Sequence, residues 1–274
     1  MVWLWILLGI LLIFLALGFA GFEAACVRRE LPPQALTEEY LRGTSRAKWA
    51  EDFVFSSDWF YAQKPQTLRV MSYDGKMLSA RFLPREDAKG TILLFHGYRS
   101  SGLLDFGPEL EFLHRQGYNL LLCDQRAHGA SQGRYMTFGV RERYDVLSWV
   151  TYLAQMLGAE HPMFLSGMSM GATTVLLASC FEFPANVRGV IADCGFSSPY
   201  AIMKCVLNER CKWLLAGLVL HPTDLFTRVF AGFRAEKRCL MLSGNGARQY
   251  ADPIASVRAD RRLSFSVISD TAKN

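Results

Sequence analysis

The sequence predicts an α/β protein, a mostly parallel sheet with helices on both faces, preceded by a membrane-spanning helix. Three observations predict it. Apolar runs at 91–95, 119–123, 163–166 and 187–192 alternate with helical patterns at 104–116, 139–157 and 172–181. Nearly continuous apolar strands separated by helices belong to a parallel sheet covered on both faces. Several of these runs lead straight into Gly-containing polar loops, such as His96-Gly97-Tyr98 and Asp193-Cys194-Gly195. Open α/β sheets place their sites at such strand ends. The first 22 residues carry no charged side chain.

That opening stretch is almost unbroken Leu, Ile, Trp and Phe from Val2 to Phe19. About 20 apolar residues cross a bilayer, and Trp3 and Trp5 stand at one end, where indole rings favour the interface. A cleaved signal peptide is the competitor. It would have a basic start, and a lipoprotein signal would have an apolar residue where Glu23 precedes Ala24-Ala25-Cys26. Residues 1–22 therefore read as an uncleaved anchor in the cell membrane, single-pass. Arg28 and Arg29 favour a cytoplasmic domain, offset in part by Glu23 and Glu30.

Residues 23–65, with Pro32-Pro33 and an apolar stripe of Trp49, Phe53 and Phe60, read as a linker and helical lead-in. The segments 67–72 and 77–83 alternate apolar and polar around Tyr73-Asp74-Gly75-Lys76, a hairpin with an Asp-Gly turn. The helix predicted at 139–157 puts Tyr144, Leu147, Val150 and Leu153 on one face. Residues 66–274 read as one domain, a size that buries a single large core.

Composition narrows the function classes. Apolar residues make up 51% of the 274, which excludes a disordered chain. The formal charge of +5 is concentrated in the tail 237–274, where Lys237, Arg238, Arg248, Arg258, Arg261, Arg262 and Lys273 face only Asp252, Asp260 and Asp270. No basic face is interleaved with aromatics, so nucleic acid is not an expected partner. The 7 cysteines have no C-x-x-C spacing and lie mostly in apolar segments, as reduced thiols would. Cys205 and Cys211 would bridge only in an oxidising compartment. No His/Cys/Asp cluster has ligand spacing, so no metal or other cofactor is expected.

The chemistry centres on Gly167-Met168-Ser169-Met170-Gly171, between the strand at 163–166 and the helix at 172–181. Strand, G-x-S-x-G, helix is a nucleophile elbow, a turn sharp enough to expose the serine hydroxyl at the sheet's edge. The helix that follows points its positive end at the serine. After the strand 91–95 comes His96-Gly97-Tyr98-Arg99-Ser100-Ser101, where Gly97 lets the chain turn so that the Tyr98 amide faces the nucleophile. After 119–123 comes Asp124-Gln125-Arg126-Ala127-His128-Gly129-Ala130-Ser131-Gln132-Gly133. There Asp124 and His128 are expected to tie down loop backbone, and His128 to be no catalytic base.

With these motifs and Asp193-Cys194-Gly195-Phe196 in this order, the chain resembles the α/β-hydrolase superfamily. Within it, the chain is most similar to membrane-anchored bacterial hydrolases of the serine aminopeptidase/monoglyceride-lipase-like branch. The resemblance runs over about residues 66 to 236. It implies a serine hydrolase acting on a small-molecule ester or amide through an acyl-enzyme at Ser169, with the oxyanion on the amides of Tyr98 and Met170. It also implies a helical cap at about 197–235, here rich in large apolar residues that suit an acyl pocket.

The family's acid and histidine come late in the chain, in H-G-x-x-D-like and G-x-x-H-like turns. The histidines here are His96, His114, His128, His161 and His221, with none beyond 221. The penultimate strand is expected at 239–244 and the last at 263–268, which leaves Ala247 and Lys273 near the places of the acid and the base. Asp193 and Asp252 are carboxylates without a base. The alternative is a catalytically impaired, truncated or frameshifted member, its segment 237–274 atypical; a divergent but genuine tail is the rival explanation.

Overall fold

The computed structural model describes residues 1–210 and 213–235, and beyond them the backbone of Met241–Leu242, Arg248–Gln249 and Ser264–Ile268. Helix α1 (Val2–Cys26) runs past the predicted anchor by one turn. The lead-in folds as α2 (Glu38–Arg42), a 3-10 turn (Ala47–Trp49) and α3 (Ala50–Ala62). Phe53 and Phe60 of the expected stripe are buried, whereas Trp49 is half exposed with Lys48 over its ring. The 3-10 turn sets Trp49 off the helical face that the other two share.

The hairpin β1 (Gln66–Met71) and β2 (Met77–Leu83) is followed by β3 (Gly90–Phe95), α4 (Gly102–Arg115) and β4 (Tyr118–Asp124). Then come α5 (Glu142–Leu157), β5 (Met163–Met168), α6 (Met170–Ala178) and β6 (Val187–Asp193). The segment expected as a cap folds as α7 (Pro199–Arg210), α8 (Trp213–Phe226) and a π-helical turn (Thr227–Ala231). The last described strands are β7 (Met241–Leu242), β8 (Arg248–Gln249) and β9 (Ser264–Ile268). The main sheet has the order β1-β2-β4-β3-β5-β6-β9, with β1–β2 and β2–β4 antiparallel and the rest parallel.

Side-chain alternation along the central strands builds two cores at once. Ile92 and Leu94 of β3, with Leu120 and Leu122 of β4, pack on Phe60 of α3 and on Leu103, Phe106 and Leu110 of α4. Their alternates Leu93, Phe95, Leu121 and Cys123 pack on Val146, Trp149 and Val150 of α5 and Val175 of α6. Truncating such a leucine to alanine typically costs about 2–5 kcal/mol.

Two expectations are corrected. The helix predicted from 139 starts at Glu142, because the Glu142 carboxylate accepts from the amides of Thr137 (2.8 Å) and Gly139 (2.9 Å) and holds that stretch as a turn. The expected penultimate strand at 239–244 does not enter the main sheet in its described part. Met241–Leu242 pairs antiparallel with Arg248–Gln249, and β9 takes the place beside β6. Pairing with a strand a few residues away closes only a short loop. Ala247, Asp252 and Lys273 lie outside the described residues. Cys205 is a free thiol, and Cys211 also lies outside them.

Candidate active site

Ser169 stands between β5 and α6 with φ 52° and ψ −109°, a left-handed conformation that a serine adopts only under constraint. The constraint comes from its neighbours. A Cβ on Gly167 would lie 2.3 Å from the Gly171 carbonyl carbon, and one on Gly171 would lie 1.8 Å from the Phe95 carbonyl oxygen. The absence of side chains lets β5, α6 and β3 close on one another. The Ser169 amide donates to the Asp193 carbonyl on β6 at 2.8 Å, and its own carbonyl accepts from Thr173 at 3.1 Å. Ser169 is half-buried at the mouth of this turn, and α6 behind it is buried throughout.

The loop after β3 reaches the same point. A Cβ on Gly97 would lie 3.4 Å from the Ser169 Cβ. The amides of Tyr98 and Met170, the predicted oxyanion donors, make no hydrogen bond among the described residues. The loop is held from behind by Asp105, missed in the sequence, whose side chain is 4% exposed. One oxygen accepts from the Gly97 amide (2.6 Å); the other accepts from the Ser100 hydroxyl (2.6 Å) and from Arg46 (2.9 Å). Arg46 also donates to the Leu104 carbonyl at 3.1 Å. Pro108, four residues further along α4, has no N–H to offer that carbonyl, so Arg46 takes its place. An acidic residue in a helix's first turn was the available signal, but its reach back to residue 97 was not readable.

The buried histidines are engaged elsewhere. His96 Nδ1 donates to the Gly97 carbonyl (2.8 Å), while its Nε2 accepts from the Gln125 amide (3.2 Å). His128 Nδ1 donates to the Arg126 carbonyl (3.0 Å), while its Nε2 accepts from the Arg99 amide (3.0 Å). Burial pushes both rings down, His128 to about 3, so both are neutral struts with no nitrogen left for Ser169. His128 thus ties down backbone as expected, and so does Asp124, which accepts from the Ala130 amide at 2.9 Å. Arg126 locks the same loop, donating to Asp145 at 2.6 and 2.7 Å and to Asp74 at 3.1 Å.

Of the remaining histidines, His114 meets the Pro84 carbonyl (3.2 Å), His161 meets Thr91 (2.8 Å) and His221 lies beside Tyr200. No described histidine or carboxylate hydrogen-bonds the Ser169 hydroxyl. Cys194, just past the end of β6, has its thiol pushed up by partial burial, against the lowering contact with the Ser169 backbone.

A family model described as serine aminopeptidase, S33, matches residues 86–221, a span that holds the elbow, the loop after β3 and the loop after β4. The chain belongs to the α/β-hydrolase superfamily. YqkD of Bacillus subtilis (strain 168), an uncharacterized protein, is 29% identical over 157 residues, 55% of this chain and 49% of its own length. The caffeoylshikimate esterase of Arabidopsis thaliana is 26% identical over 156 residues, 55% of this chain and 46% of its own length. The chain thus spans about half the length of the curated relatives it matches. A solved Pyrococcus furiosus esterase aligns at 23% identity over 65% of this chain and 70% of its own, with a TM-score of 0.47. As an α/β-hydrolase the chain has its G-x-S-x-G serine on the expected strand-to-helix turn.

Proposed function

We propose that this chain is a membrane-tethered serine hydrolase that opens an ester or small amide through an acyl-enzyme at Ser169. The observation that carries the reading is the backbone of Ser169, bent to φ 52° at the N-terminus of a buried helix and packed against Gly97. Ser169 Oγ attacks the substrate carbonyl carbon, and the developing oxyanion takes hydrogen bonds from the amides of Met170 and Tyr98. Removing one such donor typically costs about 3–4 kcal/mol of transition-state stabilisation. The leaving alcohol or amine departs with the proton that the Ser169 hydroxyl gives up, and water then adds its hydroxyl to the acyl carbon and returns a proton to Ser169 Oγ. The name of the Arabidopsis relative favours an ester as the substrate class. The apolar helix α1 supplies the tether, and Arg28 and Arg29 after it favour the domain on the cytoplasmic side.

A second reading is favoured by one observation: the described histidines that could orient toward the site are already bonded elsewhere. In that reading the chain keeps the scaffold and lacks the base that a serine nucleophile needs. A fluorophosphonate probe separates the two. Covalent labelling of the full chain in membranes, lost in Ser169→Ala, is expected for the hydrolase. An unlabelled but folded chain would establish the impaired reading. Protease added to intact cells tests the topology, and digestion of the domain from outside would reverse it.

A further inference from the structure

Helix α1 is long enough to span a bilayer, but not all of it is free to do so. The hydrocarbon core takes about 20 helical residues, roughly 30 Å at 1.5 Å per residue. Residues before Gly18 stand mostly exposed, and at Gly18 the helix docks onto the cap. A Cβ on Gly18 would lie 2.4 Å from Pro222 Cβ, and one on Gly21 would lie 2.3 Å from Thr223 Oγ1. Two glycines three residues apart thus bring α8 against α1, and the Thr223 hydroxyl lies 3.3 Å from the Gly18 carbonyl. Phe19 meets Phe226 at 5.5 Å, and Phe22 meets Phe230 at 5.6 Å.

The free part of α1, about 24 Å at 1.5 Å per residue, is shorter than the hydrocarbon core. Its apolar sequence, however, continues through Phe22. Seating the whole apolar stretch in lipid therefore brings the bilayer to the level of α8. At that level the surface of α8 and the turn after it exposes large apolar side chains beside His221 and Arg228. Leu218, Leu225 and Val229, spaced i, i+7 and i+11, are exposed beside the row that faces α1, as is Phe230. Phe230 joins this face to α1, its ring 6.4 Å from that of the exposed Phe19. The one described carboxylate nearby in sequence, Asp224, is buried and paired with Arg228.

We propose that α8 and the π-helical turn after it form a second membrane contact, with Leu218, Leu225, Val229 and Phe230 seated in the same bilayer as α1. The proposal rests on the reading of α1 as a membrane span. Its occupant is lipid, because the face continues the surface of α1 and would otherwise meet water as an apolar patch. The cap is then held at the lipid surface, and an apolar ester dissolved in the bilayer is the substrate best placed to reach Ser169.

Photo-crosslinking of the full chain in phosphatidylcholine/phosphatidylglycerol vesicles tests the proposal. Benzoylphenylalanine would replace Val229, Leu225, Leu8 or Phe112, one at a time, with adducts read by mass spectrometry. Phe112 is exposed and apolar but lies near the C-terminal end of α4, away from α1. Phospholipid adducts are expected at Leu8, Val229 and Leu225 and not at Phe112. Adducts at Leu8 with none at Val229 and Leu225 would overturn the second contact and leave the anchor standing. Crosslinks from Val229 to another copy of the chain would assign the face to a dimer instead. No adduct even at Leu8 would remove the anchor and this proposal together.

Discussion

The hydroxyl of Tyr98 donates to the carbonyl oxygen of Ala25 at 2.8 Å, tying the loop beside Ser169 to the last turn of α1. Arg99 does the same with the Ala24 carbonyl at 2.6 Å. The last carbonyls of a helix lack partners within it, and a cation at that end is favoured by the helix dipole. The loop thus satisfies α1, and α1 in return fixes the loop. Tyr98 also stacks on Phe138 at 5.3 Å. Replacing Tyr98 with phenylalanine keeps that stack and removes the hydrogen bond. The expected loss is about 1 kcal/mol of stability, read as a lowered melting temperature in detergent. An unchanged melting temperature would show that the tie contributes nothing.

Gly171→Ala should be far more damaging than its size suggests. The new methyl would need to occupy a point 1.8 Å from the Phe95 carbonyl oxygen, which is backbone of a central strand. Overpacking of this kind costs about 1–3 kcal/mol or more, so soluble yield should collapse. Gly75→Ala is a useful contrast: nothing lies within 4 Å of its Cβ, and only its φ of 76° opposes the change. A Gly171→Ala chain that melts like the parent would contradict the close packing at the elbow.

Asp105→Ala should loosen the loop at Gly97 without touching Ser169. It strips the acceptor from the Gly97 amide, the Ser100 hydroxyl and Arg46. Each stranded donor typically costs about 1–3 kcal/mol when buried. Arg46→Ala should cost less, because the half-exposed arginine is lost while Asp105 keeps the Gly97 amide and the Ser100 hydroxyl. Chemical denaturation of the two variants gives the order, and a larger loss for Arg46→Ala would refute it.

Acid should weaken the fold through His128. An unfolded imidazole takes up its proton near pH 6.5, whereas burial holds the folded ring to about 3. Between those values the unfolded chain binds more protons. This contribution is therefore complete above about pH 6.5 and is lost as the pH falls, by up to about 1.4 kcal/mol per unit. Stability measured from pH 7 to pH 5 should fall less steeply in His128→Gln than in the parent. Parallel slopes would mean that His128 does not titrate on unfolding.

Much of the fold was legible because it rests on local pattern. Apolar runs in β3, β4 and β5 that alternate with helical patterns read as strands of a covered parallel sheet, and G-x-S-x-G between a strand and a helix reads as a sharp turn. Residues 91–95, 119–123 and 187–192 fall inside the observed strands, and α1 was marked by its long charge-free apolar run. Those features depend on neighbours in the chain, and the chain states its neighbours.

Tertiary structure alone decided what holds the site. Asp105 and Arg46 are 59 residues apart, and Ala25 and Tyr98 are 73 apart, so no periodicity links either pair. Nothing in the spacing of Phe226 and Phe230 tells that their rings meet Phe19 and Phe22 of α1. His128 is a strut and not a base because two backbone groups from different loops meet its ring. Hydrogen bonds and packing between distant segments form only once the sheet has set the register, so sequence spacing carries no trace of them. Composition and spacing determined which elements exist and where the serine turns; the folded chain determined which groups face it.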